Sequence, residues 1–573
     1  MVDVVVPADP SAQGAPSFTH NLFMNAISSG SLQSVIQHIN HEPDLVNEFG
    51  WHRQTALHRA CMVGSVDIVK YLLDLGADPN ARNNFNETPL HYACKRGLPP
   101  VLHCLLEKGG DITLTDKLGK DAVHHAAEGG SVHTLHMLKC RFPDVTFTQP
   151  DANFQRPLHL AIKGGKLDAF KYLIKQGRSD LRCPDKDGNW PIHLSTQEGL
   201  GQMTWMLLCV HGLSALHVSN NKGYTPSQLV NMYDTPRHSQ LASVIKWQAK
   251  QSEGSNPKQH AYLLWFYYLL LPVVSFGAAV IITRFLPGFH ILVFVPAASY
   301  IACTMRTSFH RLNHVSGWPH PIFAGTFAGG IFHTLVVYFY VMLPYMSSYP
   351  VLKLSSFFLA VVLVAFYAKL MTKDPGISTS PAQNKSTGKQ LTFLDVCTSD
   401  EWSKFCGDCE MVMAPTTKHC KLCERCMMGM DHHCLFLLRC VASGNHTLFV
   451  YFMILVDLCM VLFIVGVIIY VCEVYSALPW MEVVEKVVSR DAWLLMLFLM
   501  NCVSAVWVGS MLWYQYHIVK TGHTQYFKPK MFSSDDLSCY EKLMNVAYFL
   551  LNRPPYVTYP KPSSDFKERS QVI

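Results

Sequence analysis

Residues 405–449 read FCGDCEMVMAPTTKHCKLCERCMMGMDHHCLFLLRCVASGNHTLF, and the rest of the chain is organised around this stretch. Seven cysteines and four histidines crowd into it. Cys406-x2-Cys409 is followed after nine residues by His419-Cys420-x2-Cys423-x2-Cys426. Four residues further on come Asp431-His432-His433-Cys434, and after five more, Cys440. Thiolates and imidazoles in Cys-x2-Cys pairs suit tetrahedral zinc, and closed four-ligand sites can hold together a segment too short and polar to build its own core. With His446 set aside, ten Cys and His residues remain. Two closed sites use eight of them, which leaves two for chemistry.

The segment resembles the cysteine-rich domain of the DHHC protein S-acyltransferases, matching its cysteine spacing and its Asn445-x3-Phe449 ending. The resemblance implies one structural zinc on Cys406, Cys409, His419 and Cys426, and another on Cys420, Cys423, His433 and Cys440. His432 and Cys434 stay free. A chemical argument agrees, because a cysteine nucleophile near neutral pH needs a neighbouring base, and the base needs an orienting carboxylate. Cys434, His432 and Asp431 supply the three. The expected chemistry takes a fatty acyl group from acyl-CoA, with palmitoyl-CoA as co-substrate, onto Cys434 and then onto a cysteine of a second protein. A purely structural zinc module is the bland alternative. A RING-type ubiquitin ligase would end in a further Cys-x2-Cys, absent here.

At 573 residues, with 49% hydrophobic and 12% aromatic residues, the chain has room for several domains and for membrane spans. A formal charge of +6 is small for this length, so nucleic acid is not implied; a face toward anionic lipid is the milder reading. The start, MVDVVVPADPSAQG, lacks the basic and apolar regions of a signal peptide, so the nineteen cysteines are expected to be reduced and cytosolic.

Ahead of the cysteine-rich segment lies an internal repeat. Thr55-Ala-Leu-His58, Thr88-Pro-Leu-His91, Asp121-Ala-Val-His124, Arg156-Pro-Leu-His159 and Trp190-Pro-Ile-His193 recur at intervals of 33, 33, 35 and 34 residues. They resemble ankyrin repeats, and a degenerate earlier unit at Leu22 and a later one at Tyr224 bring the expected number to six or seven. Such a stack is a binding surface without chemistry, its histidines stabilising turns. In ankyrin-bearing acyltransferases it recruits substrates through short linear motifs, and Tyr92 is either an exposed contact for them or ordinary packing. The expected layout is a disordered N-terminus at 1–17, repeats at 18–235 and a polar linker at 236–258.

Apolar runs of about 20 residues predict membrane-spanning helices. Four fall within 259–376, at 261–282, 286–304, 321–343 and 354–371; two more fall within 447–517, at 447–472 and 492–516. Arg306, Arg311, Lys369 and Lys373 make the connecting ends basic, which places them, both termini and the zinc domain at 396–446 in the cytosol. Span five begins thirteen residues after Cys434, so the nucleophile sits close to the membrane and the spans would enclose the acyl chain. Asp457 and Asn501 lie inside spans five and six, where each calls for a partner, most simply a hydrogen bond between helices.

Asp374-Pro375-Gly376 matches a motif that precedes the cysteine-rich domain in the same family, before a Ser/Thr/Lys/Gln-rich tether at 377–395. Two departures stand out: Leu435-Phe436-Leu437-Leu438-Arg439 where the family has Pro-Trp-x-x-Asn, and Thr521-Gly522-His523-Thr524 where it has Thr-Thr-x-Glu. Asn545, in the cytosolic tail at 518–573, is either the counterpart of the family's C-terminal asparagine or ordinary helix packing.

The expected fold is all-α and multi-domain: an ankyrin-repeat solenoid, then a six-helix transmembrane bundle with a cytosolic two-zinc cysteine-rich domain. The order of parts resembles the huntingtin-interacting type of palmitoyltransferase, which implies a multi-pass protein of Golgi or related endomembranes acting on membrane-associated proteins with cytosolic cysteines. A catalytically weak scaffold that binds clients through its repeats is the alternative. An ankyrin-bearing cation channel would need a re-entrant pore segment between spans five and six, where only a short charged loop lies.

Overall fold

The structure, a computed structural model, describes residues 18–176, 181–248, 261–285, 290–307, 319–384, 388–527 and 537–555. The expected disordered N-terminus, the end of the linker, Arg311 and the tail from 556 lie outside these residues. The chain divides into two units, Met1–Lys258 with Ser380–Met413, and Gln259–Thr379 with Ala414–Ile573.

In the first unit, seven helix pairs run from Phe18–Ser28 to Pro236–Gln248. The periodic histidines hold the pairs in register. His58 accepts from the amide of Thr55 (3.1 Å) through Nδ1 and donates through Nε2 to the carbonyl of Glu87 (3.0 Å) in the next hairpin. His91, His159 and His193 repeat this bridge to Leu114, Cys183 and Val218. Each imidazole therefore caps its own helix and ties it to the following repeat. Left-handed Gly64, Gly97 and Gly130 end the first helices, a conformation that glycine adopts without Cβ strain. Tyr92 is half-buried, its hydroxyl donating to Glu87 Oε2 (2.7 Å) and accepting from Gln54 Nε2 (3.0 Å).

Residues 380–413 belong to this unit through helix Val132–Arg141. His136 stacks on Phe405 with ring centroids 4.4 Å apart, His133 meets Trp402 at 5.2 Å, and Lys175 pairs with Glu410 at 2.8 Å. A Cβ at Gly407 would lie 2.4 Å from Val132, so that approach requires glycine.

Among the described residues of the second unit, four helices are long and apolar enough to cross a membrane: Ile322–Met346, Pro350–Thr372, His446–Val474 and Ala492–Val519. The first two expected spans fall on helices Ala261–Phe285 and His290–Thr307, where the described apolar stretch is Leu263–Ala279. Asn501 bonds across helices to Thr334 Oγ1 (3.3 Å). Asp457 departs from expectation, since its Oδ1 is buried without a hydrogen-bond partner among the described residues. It lies on the helix paired with Asn501's, but Asn501 spends its donors on Thr334 and Leu497.

Candidate active site and zinc clusters

The cysteine-rich segment is the β-structured part of a mostly helical chain. It folds as three hairpins, Phe405–Cys406 with Met411–Val412, Thr417–Cys420 with Arg425–Met428, and His432–Cys434 with Arg439–Val441. Side chains alternate along a strand, so His432 and Cys434 share one face while His433 points to the other. His433 lies directly opposite Cys440, and directly opposed residues share a face. One short strand thus sets His433 on one side and His432 with Cys434 on the other.

Two Cys/His groups are compatible with zinc. In the first, His433 Nδ1 lies 3.5, 3.4 and 3.6 Å from the sulfurs of Cys420, Cys423 and Cys440, and Cys423 and Cys440 are 3.6 Å apart. Tetrahedral zinc with Zn–S of about 2.3 Å and Zn–N of about 2.0–2.1 Å separates its ligand atoms by roughly 3.5–3.8 Å, so the donor set and its dimensions fit the ion. Cys406, Cys409, His419 and Cys426 form the second group. His419 and Cys426 face each other across their hairpin, Nδ1 to Sγ 3.8 Å; Cys406 sits on its own strand and Cys409 in the turn that follows.

Asp431, whose side chain is fully buried, accepts three hydrogen bonds. Its Oδ2 accepts from His432 Nδ1 (2.9 Å) and Gln515 Nε2 (3.0 Å), and its Oδ1 from the amide of Gln525 (2.7 Å). His446 Nε2 donates to Gln515 Oε1 (3.0 Å), fixing which way that amide points. Burial alone would raise the Asp431 pKa, but the His432 hydrogen bond, His446 and the Gln525 amide outweigh it and hold it at about 2. For His432, burial disfavours the imidazolium, while Asp431 and the Cys434 thiol favour it more strongly and push the pKa up to about 9. Nδ1–H is committed to Asp431, so Nε2 is left for the proton of Cys434. The arrangement can activate a thiol and hold the resulting imidazolium.

Neither Gln515, in the helix Ala492–Val519, nor His446, at the start of the helix His446–Val474, carries a signal in the sequence. Gln515 is 84 residues from Asp431, and only helix packing brings them together. The two departures also reach the site. Thr524 Oγ1 donates to the carbonyl of Met430 (2.8 Å), and Gln525 follows it onto Asp431. Phe436 packs against Phe323, Phe327 and Trp507, and Arg439 donates to the carbonyls of Leu370 and Met371. Asp374 closes an Asx turn onto the amides of Gly376 (2.9 Å) and Ile377 (3.1 Å), and the carbonyl of Pro375 accepts from Gly444. Asn445 accepts from the amide of Ala442 and donates to the carbonyl of Cys440, and buried Asn545 donates to the carbonyl of Lys520 (3.0 Å).

Between the apolar helices lies a cavity of about 380 Å³, within the roughly 300–1,000 Å³ of small-molecule pockets. Phe436, Leu363, Val456, Met460 and Val508 line it. Buried Cys434 belongs to the apolar cluster that contains Leu363, Val456, Met460 and Val508, with Phe436 packed against it.

Residues 399–530 match the DHHC palmitoyltransferase family, and residues 23–116, 100–178 and 123–217 match ankyrin repeats. The repeats are 37% identical over 79 residues to the Notch-regulated ankyrin repeat-containing protein of Homo sapiens, covering 13% of this chain and 68% of that one. Protein A of that name from Danio rerio is 35% identical with the same coverage. Among solved structures, the ankyrin repeat domain of Bcl-3 shares 21% identity (TM-score 0.31, 40% of this chain, all of that one) and that of human ASB11 22% (TM-score 0.35, 41% and all). A helical repeat array and a cysteine-rich domain with two zinc-compatible clusters define an ankyrin-bearing DHHC protein. The chain belongs to the ankyrin-repeat DHHC S-acyltransferases.

Proposed function

We propose that this protein is an active protein S-palmitoyltransferase with Cys434 as nucleophile, His432 as base and Asp431 as the group that orients and stabilises His432. His432 Nε2 holds the proton taken from the Cys434 thiol while Sγ attacks the acyl-CoA thioester carbonyl; the C–S bond to CoA breaks, and that proton leaves on the CoA thiol. In the second half a client cysteine gives its proton to His432 and attacks the acyl-enzyme. Cys434 then departs and is reprotonated. Cys406, Cys409, His419 and Cys426 would hold one zinc and Cys420, Cys423, His433 and Cys440 another. With four protein ligands each, the ions would supply structure.

The observation that carries this reading is His432, bonded to Asp431 and sharing a strand face with Cys434, which lies in the apolar cluster lining the cavity. The acyl chain would occupy that cavity, each buried methylene contributing up to about 0.8 kcal/mol. Client proteins would be recruited in part through the repeats, at a Golgi or related membrane with both termini in the cytosol. The inactive-scaffold alternative requires the altered residues to break the site, whereas Thr524 and the Gln525 amide still engage it.

The test is acyl-enzyme formation by the purified full chain supplied with labelled palmitoyl-CoA. A hydroxylamine-sensitive label in the wild type and none in Cys434→Ser, with equal zinc content, is expected. A label that survives Cys434→Ser, or no label with both zincs bound, overturns the proposal.

A further inference from the structure

Between the helices His446–Val474 and Ala492–Val519 the chain forms a short helix, Trp480–Ser489, whose apolar surface is mostly uncovered. Its sequence is WMEVVEKVVS, and Val483 is its buried residue. Trp480, Met481, Val484 and Val488 are 73, 78, 41 and 44% exposed. At 3.6 residues per turn these four fall within an arc of about 100°, while Glu482, Lys486 and Ser489 lie on the opposite side. The exposed side chains thus form one apolar stripe on an amphipathic helix.

The ends of the two long helices fix where this stripe can be. Tyr475 follows the first and Asp491 precedes the second. The Tyr475 hydroxyl donates to Asp491 Oδ2 (2.7 Å), and Tyr470 donates to the same oxygen (3.5 Å). Both helix ends therefore meet at one neck. Helices of 29 and 28 residues are about 42–44 Å long, close to the roughly 40–45 Å of a bilayer with its headgroups. With both helices spanning, the neck lies at headgroup level. Trp480 is five residues beyond Tyr475, and Ser489 is two before Asp491. An extended chain reaches at most about 3.6 Å per residue, so the two ends of the short helix stay within about 18 Å and about 7 Å of the neck.

Charge decides the kind of lipid. Exposed Glu473, Glu482 and Glu485 outnumber exposed Lys486 and Arg490, so the segment has no basic excess to draw it to an anionic surface. Its attraction to lipid is apolar burial, with Trp480 as the interfacial aromatic.

We propose, on the reading of the two flanking helices as membrane spans, that helix Trp480–Ser489 lies in the plane of the membrane surface with its apolar stripe inserted at the headgroup–acyl boundary of zwitterionic phospholipid. The test uses the full chain in nanodiscs of phosphatidylcholine with and without phosphatidylserine. Photoreactive p-benzoylphenylalanine replaces Trp480 or Val484 on the stripe, Glu482 on the opposite side, or Val503. Val503, 71% exposed in the middle of Ala492–Val519, reports whether that helix sits in lipid. Irradiation is expected to give phospholipid adducts at 503, and adducts at 480 and 484 several-fold more abundant than at 482. Adding phosphatidylserine should not raise them, and all variants should melt with the wild type. Adducts at 503 with equal yields at 482 and 484, or crosslinks from 480 and 484 to protein in place of lipid, overturn the proposal and leave the spans standing. Yields at 480 and 484 that rise with phosphatidylserine overturn it as well. No adduct at 503 overturns the span reading, and the proposal with it.

Discussion

Replacing Gln515 by leucine isolates the part of the site that the last span supplies. The substitution removes the Nε2 donor 3.0 Å from Asp431 Oδ2 and the Oε1 acceptor of His446, while a side chain of similar size stays in the helix. Asp431 keeps His432 and the Gln525 amide but loses one of three donors in a fully buried position. A hydrogen bond to a charged group contributes about 1.5–3 kcal/mol. If that stabilisation is felt in the step that charges His432, acylation slows by roughly 10- to 150-fold. Single-turnover labelling with radioactive palmitoyl-CoA measures it, with zinc content and melting temperature as controls. Gln515→Leu acylating at the wild-type rate with both controls unchanged would refute the placement of Gln515 in the relay.

Cys420→Ser should remove one zinc equivalent by elemental analysis and abolish the acyl label, because Cys420 is grouped with His433, whose own hairpin carries Cys434. Gly444→Ala would place a Cβ 2.5 Å from the carbonyl oxygen of Asp374, and overpacking of this kind costs about 1–3 kcal/mol; a lowered melting temperature with zinc retained is the expected result. Burial pushes His91 and His159 down to about 4 from an ordinary value of 6.5. Their contribution is complete above pH 6.5 and is lost as pH falls toward 4, by up to about 1.4 kcal/mol per pH unit for each. Amide exchange in the repeats should therefore accelerate across that window, and His159→Gln, neutral at every pH, should flatten the dependence.

The sequence by itself determined those features whose physics is local. Repeat boundaries were legible because each unit writes the same turn and helix start, and the structure adds only that each histidine's second nitrogen reaches the next repeat. Ligand spacing was legible because a zinc ligand pair needs only a turn of fixed length, and cross-strand pairing sets His433 opposite Cys440. Alternation along residues 432–434 follows from strand geometry once the strand is known.

Only the tertiary structure decided what depends on distant segments meeting. Gln515, His446 and the Gln525 amide converge on Asp431 because helix packing brings together residues up to 94 positions apart, and nothing in their own neighbourhoods marks them. The unpartnered Oδ1 of Asp457 is likewise a result of packing, since a sequence can show that a buried carboxylate needs a partner but not whether one arrives. The grouping of residues 380–413 with the repeats has the same origin: rings at 133, 136, 393 and 405 find one another only in the folded chain.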